Sequence, residues 1–162
     1  MRVLPASTRG GRKLIDALPR GMQRRAWQAL QASHLALFRA SGRRLGTEFG
    51  GLHFLFMHHL GAKTGQQRVT PLVYVEDGDN LAIIASKGGD HRHPVWFHNL
   101  KAHPDVRVEL RDEVRDVHAR IADGDERQRI WRKAVDIWPD YERYQRRAPH
   151  RKIPVVVLEP RS

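Results

Sequence analysis

Apolar positions recur along this chain with two different periods. Between Met22 and Ser41, the residues Trp27, Leu30, His34, Leu37, Phe38 and Ser41 fall three to four apart, with Ala26 and Ala29 beside them. That spacing gathers them on one face of a helix. Gly42, followed by Arg43 and Arg44, supplies a C-terminal stop. From Leu52 the pattern reads as strands. Leu52 to Leu60 is one, carrying Phe54 and Phe56. Val69 to Glu76 is a second, and the isoleucine-rich Asn80 to Ser86 a third. Gly61 to Gln67 is a polar turn, and Asp77–Gly78–Asp79 is a short hairpin reversal. Lys87–Gly88–Gly89 breaks the third strand. Pro94 to Ala102 suits a short helix with Pro94 near its first turn. Val106, Val108 and Leu110 alternate as a fourth strand, and Val117, Ala119 and Ile121 as a fifth. A helix from Asp125 places Ile130, Trp131, Ala134, Val135 and Trp138 on one face. Pro139 restarts or kinks it, and Trp138, Tyr141 and Tyr144 share a face by their spacing. Ile153 to Leu158 is an apolar closing strand.

About six strands in consecutive hairpins, with helices between them, predict an α+β fold. The expected architecture is a mostly antiparallel sheet closed, or nearly closed, into a small barrel, because closure removes exposed edges. It carries an N-terminal helix and inserted and C-terminal helices. Residues 49–162 form the barrel domain. Residues 1–48 form a basic N-terminal extension with the one amphipathic helix, preceded by a flexible basic tail at 1–13 and an apolar patch at Leu14 to Leu18. The helix reads either as packing on the domain or as facing a membrane surface.

Composition narrows this picture. A chain of 162 residues has room for one domain. It has no cysteine, so disulfides, thiolate catalysis and cysteine-held metals are excluded. It has no apolar run of about 18 residues and no secretory signal pattern, which points to the cytoplasm and leaves peripheral membrane contact open. The formal net charge is +11, and ten of the 29 cations precede residue 51, where only Asp16 and Glu48 oppose them. That excess reads as a solvated arginine-rich surface, or as attraction to an anionic lipid surface, an anionic cofactor or nucleic acid.

Four segments carry candidate chemistry. Lys63–Thr64–Gly65–Gln66–Gln67–Arg68 is a glycine turn with cations on both sides, either a plain hairpin turn or a grip on a carboxylate or phosphate. Ala85–Ser86–Lys87–Gly88–Gly89 ends a strand with paired glycines that free backbone amides for an anion. Pro94–Val95–Trp96–Phe97–His98–Asn99–Leu100 is core packing or the wall of a flat-ring pocket. Trp138 to Tyr144 is an aromatic stripe or a pocket lid. Ten histidines raise a metal reading, but His58–His59 are adjacent and point to opposite faces of a strand. No pair stands four apart on a helix beside a glutamate, so no metal is expected.

Taken in order, these blocks resemble the deazaflavin-dependent nitroreductase family, split β-barrel reductases that use reduced coenzyme F420. The resemblance runs from about Gly42 to Pro160 and is densest from Lys63 to Leu110, with further matches at Tyr141–Glu142–Arg143–Tyr144–Gln145 and Ile153–Pro154–Val155. It implies an oxidoreductase that passes a hydride from reduced F420 to an electrophilic acceptor such as a quinone or nitro compound. The implied cofactor contacts are Ala62, Lys63 and Thr64; Arg68, Val69, Thr70, Pro71, Leu72 and Val73; Ile84, Ala85, Ser86 and Lys87; and Val95, Trp96, Phe97, His98 and Asn99, with Tyr141 over the ring. Tyr141 and Ser86 are the implied catalytic pair. Two positions depart from the family pattern. Ala62 stands where arginine is common, and Trp138 where tyrosine is common. The alternatives are an FMN-binding barrel of the same shape, or a non-enzymatic basic module for nucleic acid or anionic lipid. No specific nucleic acid is expected, and peripheral contact with an anionic membrane and a homodimer both stay open.

Overall fold

Among the described residues, seven strands and four α-helices follow one another as α1 (Arg20–Ala40), β1 (Glu48–Phe49), β2 (Leu52–Leu60), β3 (Gln67–Asp77), β4 (Asn80–Ile84), α2 (Val95–Ala102), β5 (Asp105–Glu109), β6 (Val114–Ile121), α3 (Gly124–Ile137), α4 (Asp140–Arg147) and β7 (Val155–Pro160). The computed structural model describes residues 20–42, 45–49 and 51–162, apart from the side chains of Arg20, Arg24, Trp27 and Phe49. The basic tail at 1–13, the Leu14 to Leu18 patch and the Trp27 ring expected on the helix face lie outside the described residues.

The sheet runs β1-β2-β3-β4-β7-β6-β5, every neighbouring pair antiparallel, and β5 pairs back onto β2. That last pairing, Met57 opposite Val108, closes β2 to β7 into a six-stranded barrel. Period-two alternation then sorts the side chains. Leu55 and Met57 of β2 point inside, where α2 inserts Trp96, Phe97 and Leu100. Phe56 points outside, and Phe38 of α1 stacks on it with ring centroids 4.1 Å apart. Phe38 is fully buried, and His34 meets Phe54 and Phe56 edge-on, so α1 docks on the outer face of β2. Strands β4 and β7 are covered on both faces. Leu81, Ile83, Val156 and Leu158 face the interior cluster, while Ala82, Ile84, Val155 and Val157 face α3 and α4. Continuous apolar runs such as Ala82–Ile84 and Val155–Leu158 follow from burial on two sides.

Two expectations need correction. Trp138 does not share a helix with Tyr141 and Tyr144: it caps the end of α3, and Pro139 precedes a separate α4. Proline has no N–H for the helix ladder, so the chain breaks there. Trp138 still reaches its neighbour, its Nε1–H lying 3.4 Å from Tyr144 Oη. The third strand stops at Ile84, not Ser86, because Ala85 leaves the sheet and its N–H donates to Pro154 O.

The β3–β4 hairpin is tied to α3 by one carboxylate. Asp77 accepts from Arg129, through both guanidinium Nη atoms, and from Lys133 Nζ at 2.9 Å. The Arg129 hydrogen bonds, helped by Lys133, hold its pKa at about 2. A carboxyl lowered on folding contributes stability above its unfolded value of 3.8 and loses it as pH falls through 2. Asp77→Asn should therefore lower stability by about 1 kcal/mol at neutral pH, since both cations are half-exposed. Its denaturation curves should also lose less stability than the wild type's between those two values. Equal loss in both proteins would contradict the assignment.

Candidate active site

The barrel opens where β3 and β4 part. Strand β3 pairs with β2 from Gln67 to Val73, but with β4 only from Tyr74 to Asp77 among the described residues. Continued register would set Val73 opposite Ile84, yet the ladder ends at Tyr74–Ile83. The backbone from Arg68 to Val73 is one lip of this split, and Ile84 to Lys87 the other. Pro71 sits on the open lip, where its missing N–H leaves no ladder bond unmade. Alternation divides the block. Arg68, Thr70 and Leu72 stand on the face of Leu55 and Met57, and Val69, Pro71 and Val73 on the opposite face.

Beyond Ser86 the chain turns through three consecutive left-handed residues, Lys87 (φ 47°), Gly88 (φ 66°) and Gly89 (φ 81°). Lysine pays a steric cost in that region. Two contacts over-determine the turn. Arg151 donates to Ser86 O at 2.9 Å, to Asp90 O at 3.0 Å and to Ala85 O at 3.3 Å, and its Nη1 lies 3.1 Å from His93 Nδ1. Gly89 lies against α4 so closely that a Cβ there would sit 2.7 Å from Tyr144 O. The turn and α4 are thereby locked together, which brings the segment of Ser86 to that of Tyr141. Lys87 Nζ is 3.4 Å from Asp90 Oδ2. Tyr141 packs in the cluster that holds Ile84 and Tyr144, 7% exposed. Burial, with Tyr144 adding to it, pushes its phenol above the ordinary value of 10, so it keeps its proton at neutral pH. Its hydroxyl has no hydrogen-bond partner among the described residues, although buried hydroxyls are ordinarily paired.

The turn at the other end of the lip is built around Gly61. A Cβ there would lie 2.5 Å from Thr64 Oγ1 and 3.6 Å from Arg68 Nε, so glycine makes the room in which Arg68 lies. Lys63, Thr64 and Arg68 are exposed. A buried relay links this turn to α2. The Ala62 N–H donates to Asn99 Oδ1 at 2.9 Å, Asn99 Nδ2 lies 3.0 Å from His59 Nδ1, and His59 Nε2 lies 2.9 Å from Thr70 Oγ1. Burial, then Arg68 and His58, lower the His59 pKa to about 4. Its neighbour His58 turns outward and pairs with Glu109.

The structure thus joins Ala62, Arg68, Thr70 and Asn99 at one end, and Ile84, Ser86, Lys87 and Tyr141 at the other. Trp96 and Phe97 are buried in the barrel core, and Val95 and His98 are exposed. Sequence reasoning missed His59, Arg151 and the contact made by Gly89. Alternation beside His58 marks His59 as inward-facing, but the partners of Arg151 lie about sixty residues away and leave no local sign.

A groove of about 870 Å³ reaches Arg68, Val69, His58 and His59 and runs across β5 to Arg39 of α1. Within it, Arg107 pairs with Asp116, and Arg161 with Asp105. Arg39 and Arg68 have no carboxylate partner among the described residues, which leaves that wall able to take an anion.

The family model described as F420H(2)-dependent quinone reductase matches residues 30–160 of the chain. An F420H(2)-dependent quinone reductase of Mycobacterium tuberculosis is 39% identical over 145 residues, spanning 87% of this chain and 97% of that protein. A solved structure described as an F420-H2 dependent reductase (FDR-A) aligns with a TM-score of 0.61 at 42% identity, over 65% of this chain and 93% of its own. Another, described as a domain-swapped dimer, gives 0.61 at 37% identity over 77% and 98%.

Proposed function

Because this chain belongs to the F420H(2)-dependent quinone reductase family, we propose that the split between β3 and β4 is its cofactor cleft, with Tyr141 and Ser86 on the acceptor side. The activity is transfer of a hydride from reduced F420 to a quinone, and the enzyme reading takes the place of a non-enzymatic basic module. One observation carries the placement: the ladder opens at Tyr74–Ile83, and the cluster containing Ile84 buries a Tyr141 hydroxyl that has no partner among the described residues.

The residues present fit a flat cofactor with an anionic tail. Arg68, faced across the groove by Arg39, supplies charge for the tail, Lys63 and Thr64 add a cation and a donor from the adjoining turn, and the Ala62 turn is held in place from behind by Asn99. Val69, Thr70, Pro71, Leu72 and Val73 offer one lip to the ring, and Ile84, Ala85, Ser86 and Lys87 the other. Val95, Trp96, Phe97, His98 and Asn99 form the wall, with Trp96 and Phe97 filling the barrel behind it. When bound, reduced F420 supplies the hydride, its ring carbon replacing the flavin N5 so that two electrons move together. The protein binds, orients and excludes water. Tyr141 donates a hydrogen bond from its hydroxyl to the acceptor oxygen that gains negative charge, and Ser86 lies buried at the end of the Ile84 lip.

Arg68→Ala should weaken F420 binding by about tenfold or more, the worth of one charge-assisted hydrogen bond of roughly 1.5–3 kcal/mol. Fluorescence titration of the folded variant reads it directly. Unchanged affinity would remove Arg68 from the site.

Residues 1–48 act in this reading as a basic extension to the reductase domain of 49–162, and its helix α1 docks through Phe38 and His34. Met22, Leu30 and Leu37 stand about two turns apart on α1 and are each half-exposed. That stripe supports peripheral contact with an anionic membrane from the cytoplasmic side, and no helix among the described residues is long and apolar enough to cross one. Sedimentation with anionic and with neutral vesicles tests it, selective recovery with the anionic ones being expected. Because a solved relative is described as a domain-swapped dimer, a homodimer is the assembly to look for.

A further inference from the structure

His59 is 5% exposed, and its neighbours fix which ring nitrogen carries the proton. The Ala62 N–H can only donate, so the Asn99 atom 2.9 Å from it is the carbonyl oxygen. The Asn99 amide NH2 is then the group 3.0 Å from His59 Nδ1. An amide NH2 only donates, so Nδ1 accepts and bears no proton. A neutral imidazole keeps its one proton on the other nitrogen. His59 Nε2–H therefore donates to Thr70 Oγ1, 2.9 Å away. An imidazolium would set Nδ1–H against an Asn99 N–H, and burial, Arg68 and His58 also oppose that charge, so the ring is neutral at neutral pH. The Thr70 hydroxyl oxygen accepts a hydrogen bond from His59 and must point its own proton elsewhere. It stands half-buried on the β3 lip between Arg68 and Leu72, with no other partner among the described residues.

We propose that His59 is a positioning residue that fixes the Thr70 hydroxyl as a hydrogen-bond donor toward an acceptor atom of the ligand in the cleft, while the same imidazole, through Asn99, holds the Ala62 turn. The inference rests on the split being the F420 cleft. Its chemical consequence is selectivity: a carbonyl or anionic oxygen is accepted opposite Thr70, and a donor group there is rejected.

The test has two readouts on the full chain. Nitrogen NMR of histidine-labelled protein without cofactor identifies the His59 tautomer, its signals assigned as those lost in His59→Gln. The expected form is neutral with the proton on Nε2. Titrations with oxidised F420 then compare the wild type with Thr70→Val, His59→Leu, their combination and His59→Gln. Each of the first two should weaken binding by about fivefold to tenfold, one neutral hydrogen bond. The double variant should be no weaker than His59→Leu alone, because the Thr70 hydroxyl is directed by His59. His59→Gln, whose amide NH2 reaches the Nε2 position, should recover most of the affinity. A proton on Nδ1, losses that multiply, or a Thr70→Val protein that binds like the wild type would each overturn the proposal. If the wild type takes up no F420, the cleft reading falls and the ligand half of this inference with it, while the tautomer is still decided by the spectrum.

Discussion

Tyr141→Phe is expected to slow quinone reduction by about tenfold to a hundredfold while leaving the fold as stable as before. The two halves of that result come from one fact. The Tyr141 hydroxyl is buried and has no partner among the described residues. Deleting it breaks no hydrogen bond among the described residues, so unfolding should be unchanged or shifted slightly toward stability. The phenol is held above its ordinary pKa by burial, so at neutral pH it is a donor, not an anion. A donor placed where negative charge develops is worth about 10²–10³ in rate when rigidly held. The hydroxyl here sits on a two-turn helix joined through Pro139, which argues for the smaller range. Turnover, single-turnover rate, F420 affinity and melting temperature are the measurements. Wild-type values throughout would reduce Tyr141 to packing. Lost affinity with an unchanged single-turnover rate would make it a cofactor clamp.

Gly89→Ala should be more damaging still. At φ 81° any side chain is strained, and here the new Cβ would lie 2.7 Å from Tyr144 O and 2.9 Å from both Tyr144 Cα and Arg147 Cβ. The first two are backbone atoms and cannot swing aside, so α4 must move away from the Ser86 turn. Strain and overpacking together cost about 2–4 kcal/mol, or roughly 4–16 °C in melting temperature for a domain of this size. Displacing the Tyr141 segment from the Ser86 segment by about 1 Å should cost roughly a hundredfold in turnover. Gly78→Ala separates the two causes. It has φ 65° but nothing within 4 Å of the new Cβ, so it carries the strain alone, about 1 kcal/mol, with activity intact. If the two variants behave alike, the turn and α4 are not locked in the way described.

Strands β2 and β3 are plain in the sequence because each has one face against the barrel interior and one against something else, which writes alternation into Leu55–Phe56–Met57 and its partner positions. The turns at Gly61–Gly65 and Lys87–Gly89 are equally plain, since glycine takes the positive φ of Gly65, Gly88 and Gly89 without the cost that Lys87 bears, and permits the close approaches at Gly61 and Gly89. The ordered blocks from Lys63 to Leu110 made the family legible. What local pattern could not carry is where the barrel splits. That depends on β4 leaving β3 at Ile84 to follow the chain entering β7, a contact between Ala85 and Pro154 far apart in sequence. The same holds for Arg151, whose clamp on Ser86 and Asp90 closes over some sixty residues, and for His59, whose role is set by Asn99 on another element. Trp138 misled because a three-residue spacing looks helical across a proline that ends one helix and begins the next.

The most direct test is to load the full chain with reduced F420 under anaerobic conditions, mix it with a quinone, and follow the return of oxidised F420 fluorescence in a single turnover, with FMN as competitor. The expected result is saturable F420 binding that FMN does not displace, and one oxidised F420 formed for each quinone consumed. A protein that binds FMN in place of F420, or that holds reduced F420 without passing its hydride to any quinone, would contradict the assignment.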